Sequence, residues 1–564
     1  MSTYIARPYI LLPFLAFVLT LAVSDAQPRP RIAVVAPEAY DGALMIDESL
    51  ESQAQRAGLI VIGRVESVTS RKTSRSIESD VAISVDKSLK GNAPKKLTLT
   101  LPGGTVDGIR LQVGDVPNFL SGERVLLLLD GSAKPKLLRR WQSKYSLAGT
   151  DAYQPETHSK VTISSLETRL GSALKKSVSI PVSDVETVSI AFTTYCAPWA
   201  AADMPVLFEV NPASPGTGGP AGSGFSRLVY ASWHNWQALT DSYVNFSYAG
   251  TTTRSGYNTA DGLNTISWGT LDPGVLGENH CSYYLNGPRI DSDTIISNQF
   301  SWDSDSSNGV SGYSLESVLE HELGHGLGMG HTTPGANDPG CDGTASTPVM
   351  CPAIAPGQRK TIKPDDRAGA ASMYPLSGSP PAAPTNVTAT QNGNAYNVSW
   401  TASTGSKNAY DVERGNSACS GAWVPAGTVA AASTSFTDDD FTAGLSGTYC
   451  YRVKALGVGG DSGWSNTSLG LPPYGVTWGS HTTPATMPAS TPSQVSVSFT
   501  NTGSLTWASS GPNPVRLSYH WRSGACPGSS NVVWDGPRAA LAADVSTGDS
   551  VNGLNITVTP PSSP

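Results

Sequence analysis

The residues from 321 to 331 carry the strongest chemical signal in the chain, and they read His-Glu-Leu-Gly-His-Gly-Leu-Gly-Met-Gly-His. His321 and His325 are four residues apart, so on a helix both imidazoles project from one face. Together with a third imidazole, from His331, they can bind Zn²⁺ and leave one coordination position open for water. The spacing therefore predicts one zinc ion held by these three side chains, the alternative being three structural histidines.

Two neighbouring positions suit a hydrolytic site of this kind. Glu322 follows the first ligand, where its carboxylate can reach a water at the open position and act as a general base. Gly328 comes three residues after His325. A glycine at positive φ can end the helix there and turn the chain back, which would deliver His331 as the third ligand. We therefore expect Glu322 to be the catalytic residue.

The elements that must position these residues alternate between strands and helices. Ser314 is a suitable N-cap for a helix that runs through Leu315, Val318 and Leu319. A second amphipathic helix is predicted at 225–243, and strands are predicted at 188–192, 264–268 and 293–297. This order indicates a mixed α/β unit over residues 181–376.

The motif resembles the signature of the metzincin zinc peptidases. In that family, a methionine turn follows the signature in the sequence. Met350 lies in a Pro-Val-Met-Cys-Pro stretch and is similar to the methionine of that turn. The Asp-Gly-Leu-Asn sequence at 261–264, and Asp365-Asp366 shortly before Met373, are similar to matrixin features.

The unit departs from that pattern at two positions. Thr332 and Cys351 stand where matrixins usually have serine and tyrosine. We identify residues 181–376 as a matrixin-like metzincin domain.

This resemblance implies a secreted zinc-dependent endopeptidase that hydrolyses proteins or peptides. It implies that Met350 forms an apolar floor beneath the metal, the alternative being an ordinary core methionine. By analogy, the substrate would lie along an edge strand near 276–285, and residues 352–354 would line the first primed pocket. A cysteine-switch propeptide is excluded, because residues 27–180 contain no cysteine.

A calcium site is a second expectation for this unit. The acidic positions Asp291, Asp293, Asp303 and Asp305 could bind Ca²⁺ through carboxylate oxygens. The alternative is a solvated acidic loop, since the spacing is not that of an EF-hand.

The remaining segments predict β-domains around the catalytic unit. Residues 1–26 have the layout of a secretory signal peptide, and 27–180 read as an all-β domain. Residues 377–381 form a Ser/Pro linker. Residues 382–473 resemble a fibronectin type III domain. Residues 474–564 resemble an immunoglobulin-like sandwich. We expect this sandwich to be incomplete, because the sequence indicates about five strands where such a domain usually has about seven.

Seven cysteines fit an oxidising compartment. Cys341 and Cys351 both lie within twenty residues of His331 and are predicted to pair, which leaves Cys196 to pair with Cys281. Within the fibronectin-like segment we expect a Cys419–Cys450 bridge. Cys526 then has no partner.

Composition limits the function classes. The 564-residue chain has a net charge of −8, which argues against nucleic acid as a partner, and no segment is long and apolar enough to span a membrane. The alternative function is a surface-binding or adhesion protein that uses its β-sandwich domains. In the last of these domains Trp507, Trp521 and Trp534 could stack on sugars, although core packing is the favoured interpretation of each. Because a linker and another domain separate the catalytic unit from the last segment, a chain ending near Leu376 should keep zinc and activity.

Overall fold

The computed structural model describes residues 43–562, apart from 47, 115, 155–158, 182–194, 217, 286, 305–311, 333–340, 342–346, 442, 523–530 and 534–535. The predicted signal peptide, the predicted strand at 188–192, Asp305 and Cys526 therefore lie outside the described residues. The described part consists mostly of β-sheets with five α-helices. Within it, no helix combines the length and the hydrophobicity that crossing a membrane requires.

The first unit combines a sheet with two helices. Its elements are β1 Ala43–Met45, α1 Leu50–Arg56, β2 Leu59–Lys72, β3 Ile77–Lys90, β4 Lys96–Pro102, β5 Gly104–Val106, β6 Ile109–Val113, β7 Arg124–Leu129, β8 Lys144–Ala148, β9 Asp151–Gln154, β10 Ser159–Thr162 and α2 Ile163–Leu174. Seven strands form one antiparallel sheet in the order β10-β9-β8-β7-β2-β3-β4.

The prediction of an all-β domain at 27–180 is wrong at the two helices. The hydroxyl oxygens of Ser49 and Thr162 cap α1 and α2 by accepting hydrogen bonds from backbone amides three residues later. Leu166 and Leu170 of α2 pack with Leu50 of α1 in one core beneath the sheet. Their helical spacing was present in the sequence, but the strong strand signals around them obscured it.

The second unit contains α4, the helix that carries His321 and His325. Its elements are β11 Val206–Val210, α3 Ser223–Gln237, β12 Phe246–Thr251, β13 Thr265–Gly269, β14 Val275–Tyr284, β15 Arg289–Ser297, β16 Trp302–Asp303, β17 Tyr313–Ser314, α4 Leu315–Leu327 and α5 Pro364–Met373. The predicted helices and the two described strands are present, although α3 ends at Gln237 and so is shorter than the predicted 225–243.

One mixed sheet joins the first two units. Its order is β12-β11-β13-β15-β14-β6-β5, and β1 also pairs with β14. Strands β11, β12, β13 and β15 are parallel to their neighbours within that group, whereas β14 is antiparallel to β15, β6 and β1. Three strands of the first unit thus extend the sheet of the second.

The main core lies between this sheet and the helices α3 and α4. Trp233 and Trp236 of α3 are buried there with Val318, Leu319 and Leu323 of α4. Apolar residues at three- and four-residue spacing place these side chains on one face of each helix. The packing fixes α4, and with it the histidines, against the sheet.

The third unit is a β-sandwich of seven strands. They are β18 Thr385–Asn392, β19 Ala395–Thr401, β20 Ala409–Gly415, β21 Val424–Ala430, β22 Ser435–Asp438, β23 Cys450–Leu456 and β24 Ser468–Leu469. The sheets have the orders β18-β19-β22 and β21-β20-β23-β24. The preceding segment is held in place, because the Ser377 amide donates a hydrogen bond of 2.6 Å to the Val458 carbonyl.

The fourth unit contains more strand segments than the five that the sequence indicated. They are β25 Val476–His481, β26 Ser493–Asn501, β27 Arg516–Leu517, β28 Trp521–Arg522, β29 Asn531–Val533, β30 Ala539–Ala540 and β31 Ser550–Val558. Three of them form the sheet β25-β26-β31, and the others form two short pairs. The extra segments are two or three residues long, too short for an alternating pattern to reveal. Trp507 is buried in the core of this unit.

Candidate metal centre

Helix α4 presents its histidines from the buried side. Its N-terminus is capped as predicted, because the Ser314 hydroxyl accepts a hydrogen bond from the Ser317 amide. Every residue of the helix from 317 to 327 is buried. His321 and His325 lie one turn apart with ring centroids separated by 4.6 Å.

Gly328 ends α4 in the left-handed conformation, at φ 106°, as its position in the motif predicted. Its amide donates to carbonyls of the last helical turn. A Cβ at this position would lie 2.6 Å from the Cys196 carbonyl oxygen, so side chains are excluded by space as well as by φ. The chain then returns and places His331 beside the two helical histidines.

Three ring nitrogens converge at this point. The Nε2 atom of His321 lies 2.9 Å from Nε2 of His325 and 3.2 Å from Nε2 of His331. The Nδ1 atoms of His321 and His325 lie 2.7 Å from the carbonyl oxygens of Val349 and Met329, respectively. Nδ1 therefore carries the proton in both rings, and the two Nε2 lone pairs point at a common space.

The pKa shifts of the two helical histidines favour the binding of a metal cation. Burial lowers the pKa of His321 and His325 well below the usual value, and the nearby imidazoles lower it further. Both rings are therefore neutral at physiological pH, which is the form that binds metal. Three converging imidazole nitrogens in a buried pocket fit Zn²⁺, which prefers imidazole ligands in a tetrahedral arrangement.

Glu322 lies between the ligand helix and the sheet. Its carboxylate packs against β14 at Gly277, where a Cβ would come within 2.9 Å of Oε1. The side chain is fully buried. A glycine at position 277 thus leaves room for the carboxylate that the motif marks as the general base.

Met350 lies directly beneath α4. A Cβ on Gly324 would collide with its sulfur, and Met350 belongs to the main core. The turn around it is fixed by Asp366, whose carboxylate accepts hydrogen bonds from the amides of Val349 and Met350 at 2.9 and 3.0 Å. Burial raises the pKa of Asp366 to about 6. The sequence marked Asp366 as a family feature but did not reveal this role.

All three predicted disulfides are confirmed. Cys341 pairs with Cys351, Cys196 with Cys281, and Cys419 with Cys450. The first bridge ties the chain after His331 to the methionine turn, and the second ties the middle of β14 to the segment before β11.

The acidic group proposed for calcium is divided by the fold. Asp291 and Asp293 lie on β15 and accept hydrogen bonds from backbone amides of the loop before β13 and of its first residue, whereas Asp303 lies on β16. Burial raises the pKa of Asp291 to about 6 and that of Asp293 well above its usual value. Within the described residues these aspartates are not among the groups whose ligand atoms converge. Calcium binding therefore stays a prediction.

The edge strand expected to bind substrate is not open. Residues 275–278 of β14 pair with β1, and residues 280–284 pair with β6. The expectation of an accessible edge at 276–285 is wrong for this form of the chain, because strands of the first unit occupy it. Strand registers of this kind depend on contacts between distant segments, which the sequence pattern does not show.

Comparison with known proteins agrees with part of this picture. Residues 273–375 match the family model of the matrixins. No curated protein matches the chain.

Among solved structures, an Fn3-like protein from Clostridium thermocellum is 30% identical over 17% of this chain and 96% of its own, with a TM-score of 0.15. Titin kinase with its flanking domains is 26% identical over 16% of this chain and 17% of its own, with a TM-score of 0.14. The chicken CNTN1 FN1-FN3 domains are 15% identical over 37% of this chain and 69% of their own, with a TM-score of 0.16.

Proposed function

We propose that this chain is a secreted zinc-dependent endopeptidase that hydrolyses peptide bonds of protein substrates. The observation that carries the proposal is the convergence of three buried imidazole nitrogens beside a buried glutamate. The matrixin match over 273–375 includes all four residues and supports the same reading. The three disulfides support an extracellular location.

The residues divide the chemistry among them. His321, His325 and His331 would hold Zn²⁺, which supplies Lewis-acid polarisation of the scissile carbonyl and lowers the pKa of a nearby water. Glu322 removes a proton from the water that attacks the carbonyl carbon, and then donates it to the leaving amine nitrogen as the C–N bond breaks. Met350, held through its backbone by Asp366, supports the ligand helix from below.

Glu322→Gln tests this assignment. The variant should keep zinc at one ion per chain and lose hydrolysis by about 10²–10⁴-fold, because a positioned general base contributes that much. Hydrolysis of unfolded proteins is measured on the intact chain and after limited proteolysis, with and without a chelator. Activity within about tenfold of wild type at equal zinc content would contradict the assignment.

Glu320→Gln is the matched control. Glu320 is a buried carboxyl on the same helix, and burial raises its pKa to about 8, so it is already protonated at neutral pH. Its Oε1 accepts a hydrogen bond from the Asn235 amide, which an amide oxygen can also accept. This variant should keep both zinc and activity. Loss of either would mean that α4 does not tolerate a change of a buried carboxyl, and that the effect of Glu322→Gln is not specific to a general base.

A further inference from the structure

Strand β1 lies in a slot that has two walls. On one side it pairs antiparallel with β14, with Leu44 opposite Gly277. On the other side Met45 forms a parallel bridge with Ala353, in the segment just after the methionine turn. The strand therefore fills the space between the sheet edge and the segment expected to line the first primed pocket.

Backbone hydrogen bonds attach the strand to both walls. The Met45 amide donates to the Pro352 carbonyl at 3.2 Å, and the Ile354 amide donates to the Met45 carbonyl at 3.3 Å. The Ile46 amide donates to the Gly274 carbonyl at 3.0 Å. These contacts use the backbone alone, which is how an extended peptide adds to a sheet edge.

The strand also passes the proposed catalytic base. Gly277, the partner of Leu44, is the residue against which the Glu322 carboxylate packs. A substrate peptide that pairs with β14 at this level must therefore take the place that residues 43–46 hold.

Side chains of both units hold the strand there. Met45 is fully buried among Trp141, Leu271, Val275 and Ile295. The Arg139 guanidinium pairs with Glu48 at 2.7 Å and donates to the Pro273 carbonyl beside the slot. Arg140 pairs with Glu278 on β14 at 2.6 Å, and both side chains are buried.

We infer that residues 43–46 are a built-in occupant of the substrate edge and that the chain folded in this way is latent. The inference rests on the proposed peptidase function for its consequence, but the occupancy itself is a matter of strand pairing. An intramolecular strand competes at a high effective concentration, so a peptide substrate binds only in the fraction of molecules in which β1 has left the slot. Displacement or cleavage of this segment then exposes the edge and activates the enzyme.

Peptide binding measured without catalysis tests the occupancy. In the Glu322→Gln background, a fluorescent peptide derived from an unfolded-protein substrate is titrated into the full chain. Met45→Asp places a carboxylate among apolar side chains, and Ile46→Pro removes one amide donor without adding a charge. Both changes should tighten peptide binding at least tenfold. Met45→Leu, the control, keeps burial and hydrogen bonds and should change binding less than twofold.

Circular dichroism establishes that each variant is folded before its binding is compared. Unchanged peptide binding in folded Met45→Asp and folded Ile46→Pro would overturn the inference. The same substitutions with Glu322 intact separate the two proposals. Tighter binding without any hydrolysis would leave the occupancy standing and contradict the peptidase function. Full hydrolysis by the wild-type chain, unaffected by either substitution, would leave the peptidase standing and contradict latency.

Discussion

The first and third units contact the central sheet at its two opposite sides, and they do so by different means. On the β14 side, the first unit adds β1 and β6 through backbone hydrogen bonds. On the β12 side, the third unit packs against β12 and the outer face of α3 through side chains, with Phe441 joining the main core. One contact covers the expected substrate edge, and the other supports the helix behind the candidate metal site.

The contact with the third unit is a dense polar network. Tyr230 and Gln237 of α3 hydrogen-bond with the Thr428 hydroxyl at 2.9 and 3.1 Å, and Arg227 donates to carbonyls of β21. His234 of α3 lies 3.1 Å from a carboxylate oxygen of Asp411.

The last pair belongs to a second convergence of ligand-type atoms, formed by His234, Asp411 and Glu413. Lys454 lies 3.7 Å from Asp411, and Arg452 hydrogen-bonds to Glu413. These cations already balance the two carboxylates, so we assign the group to the interface.

The comparison shows how one sheet can serve two purposes. Strand pairing is sequence-tolerant and can be exchanged for another strand, which suits a site that must later admit a substrate. Buried, directional side-chain contacts are specific to one partner, which suits a permanent support. Perturbing the first contact should change peptide access, whereas single substitutions in the second should change stability and leave peptide access unchanged.

Removal of the third unit should have the largest effect. A chain ending at Leu376 would expose Tyr230 and its polar neighbours on α3, so we expect no cooperative unfolding transition and no stoichiometric zinc. This revises the expectation that such a chain keeps its activity. A chain ending at Pro473 keeps the interface and should fold and bind zinc. Thermal unfolding and zinc content measure both, and a cooperative, zinc-loaded chain ending at 376 would contradict the supporting role.

Arg140→Gln should weaken the contact between the first unit and β14, on the opposite side of the sheet. The substitution leaves Glu278 buried beside His280 without its guanidinium partner, and breaking such a buried pair costs about 3–5 kcal/mol. Urea unfolding should show lower stability, and peptide binding in the Glu322→Gln background should tighten. Arg71→Gln removes exposed ion pairs with Glu78 and Asp80 and should leave both the stability and the peptide binding nearly unchanged.

The same pair predicts a pH dependence. Burial alone would raise the pKa of Glu278, but the charges of Arg140 and His280 outweigh it and bring the pKa to about 2. Because the folded-state pKa lies below the usual value, this stabilisation is complete above about pH 4.5 and is lost as the pH falls toward 2. A shift of this size corresponds to about 3 kcal/mol. The stability difference between wild type and Glu278→Gln, measured by urea unfolding at pH 7, 5 and 3, should therefore shrink at acidic pH; a constant difference would contradict the pairing.

Tyr230→Phe should have the smallest effect. It removes one buried hydroxyl from the network with Thr428 and should cost about 1 kcal/mol in urea unfolding. Peptide binding should not change, because α3 packs at the β12 side of the sheet whereas β1 pairs with β14 at the other side. A change in peptide affinity after this substitution would mean that the two contacts are coupled and would break the comparison.

The sequence predicted best what depends on local spacing. The cap at Ser314, the helix that follows, the turn at Gly328 and the convergence of the histidines all follow from residues within twenty positions of one another. The disulfide near the methionine turn was predicted for the same reason, since proximity in sequence limits the possible partners.

Contacts between distant segments were missed. Nothing in Ala-Leu-Met at 43–45 distinguishes a strand that pairs with residues more than 200 positions away. Arg140 and Asp411 look like ordinary surface charges in the sequence, and only the fold shows them buried against partners in other units. The short helices α1 and α2 were missed because the strand pattern of β2 directly follows α1 and that of β10 directly precedes α2.

The joined sheet also determines what a single backbone cut would do. Residues 27–180 contain no cysteine, and all three disulfides lie after that segment. After one cut between Pro181 and Tyr195, β1, β5 and β6 would be held to β14 by noncovalent contacts alone. The occupant of the edge would then be a separate molecule, and its release would obey mass action. A cut sample would gain activity on dilution and lose it on concentration, whereas an uncut sample would show no such dependence.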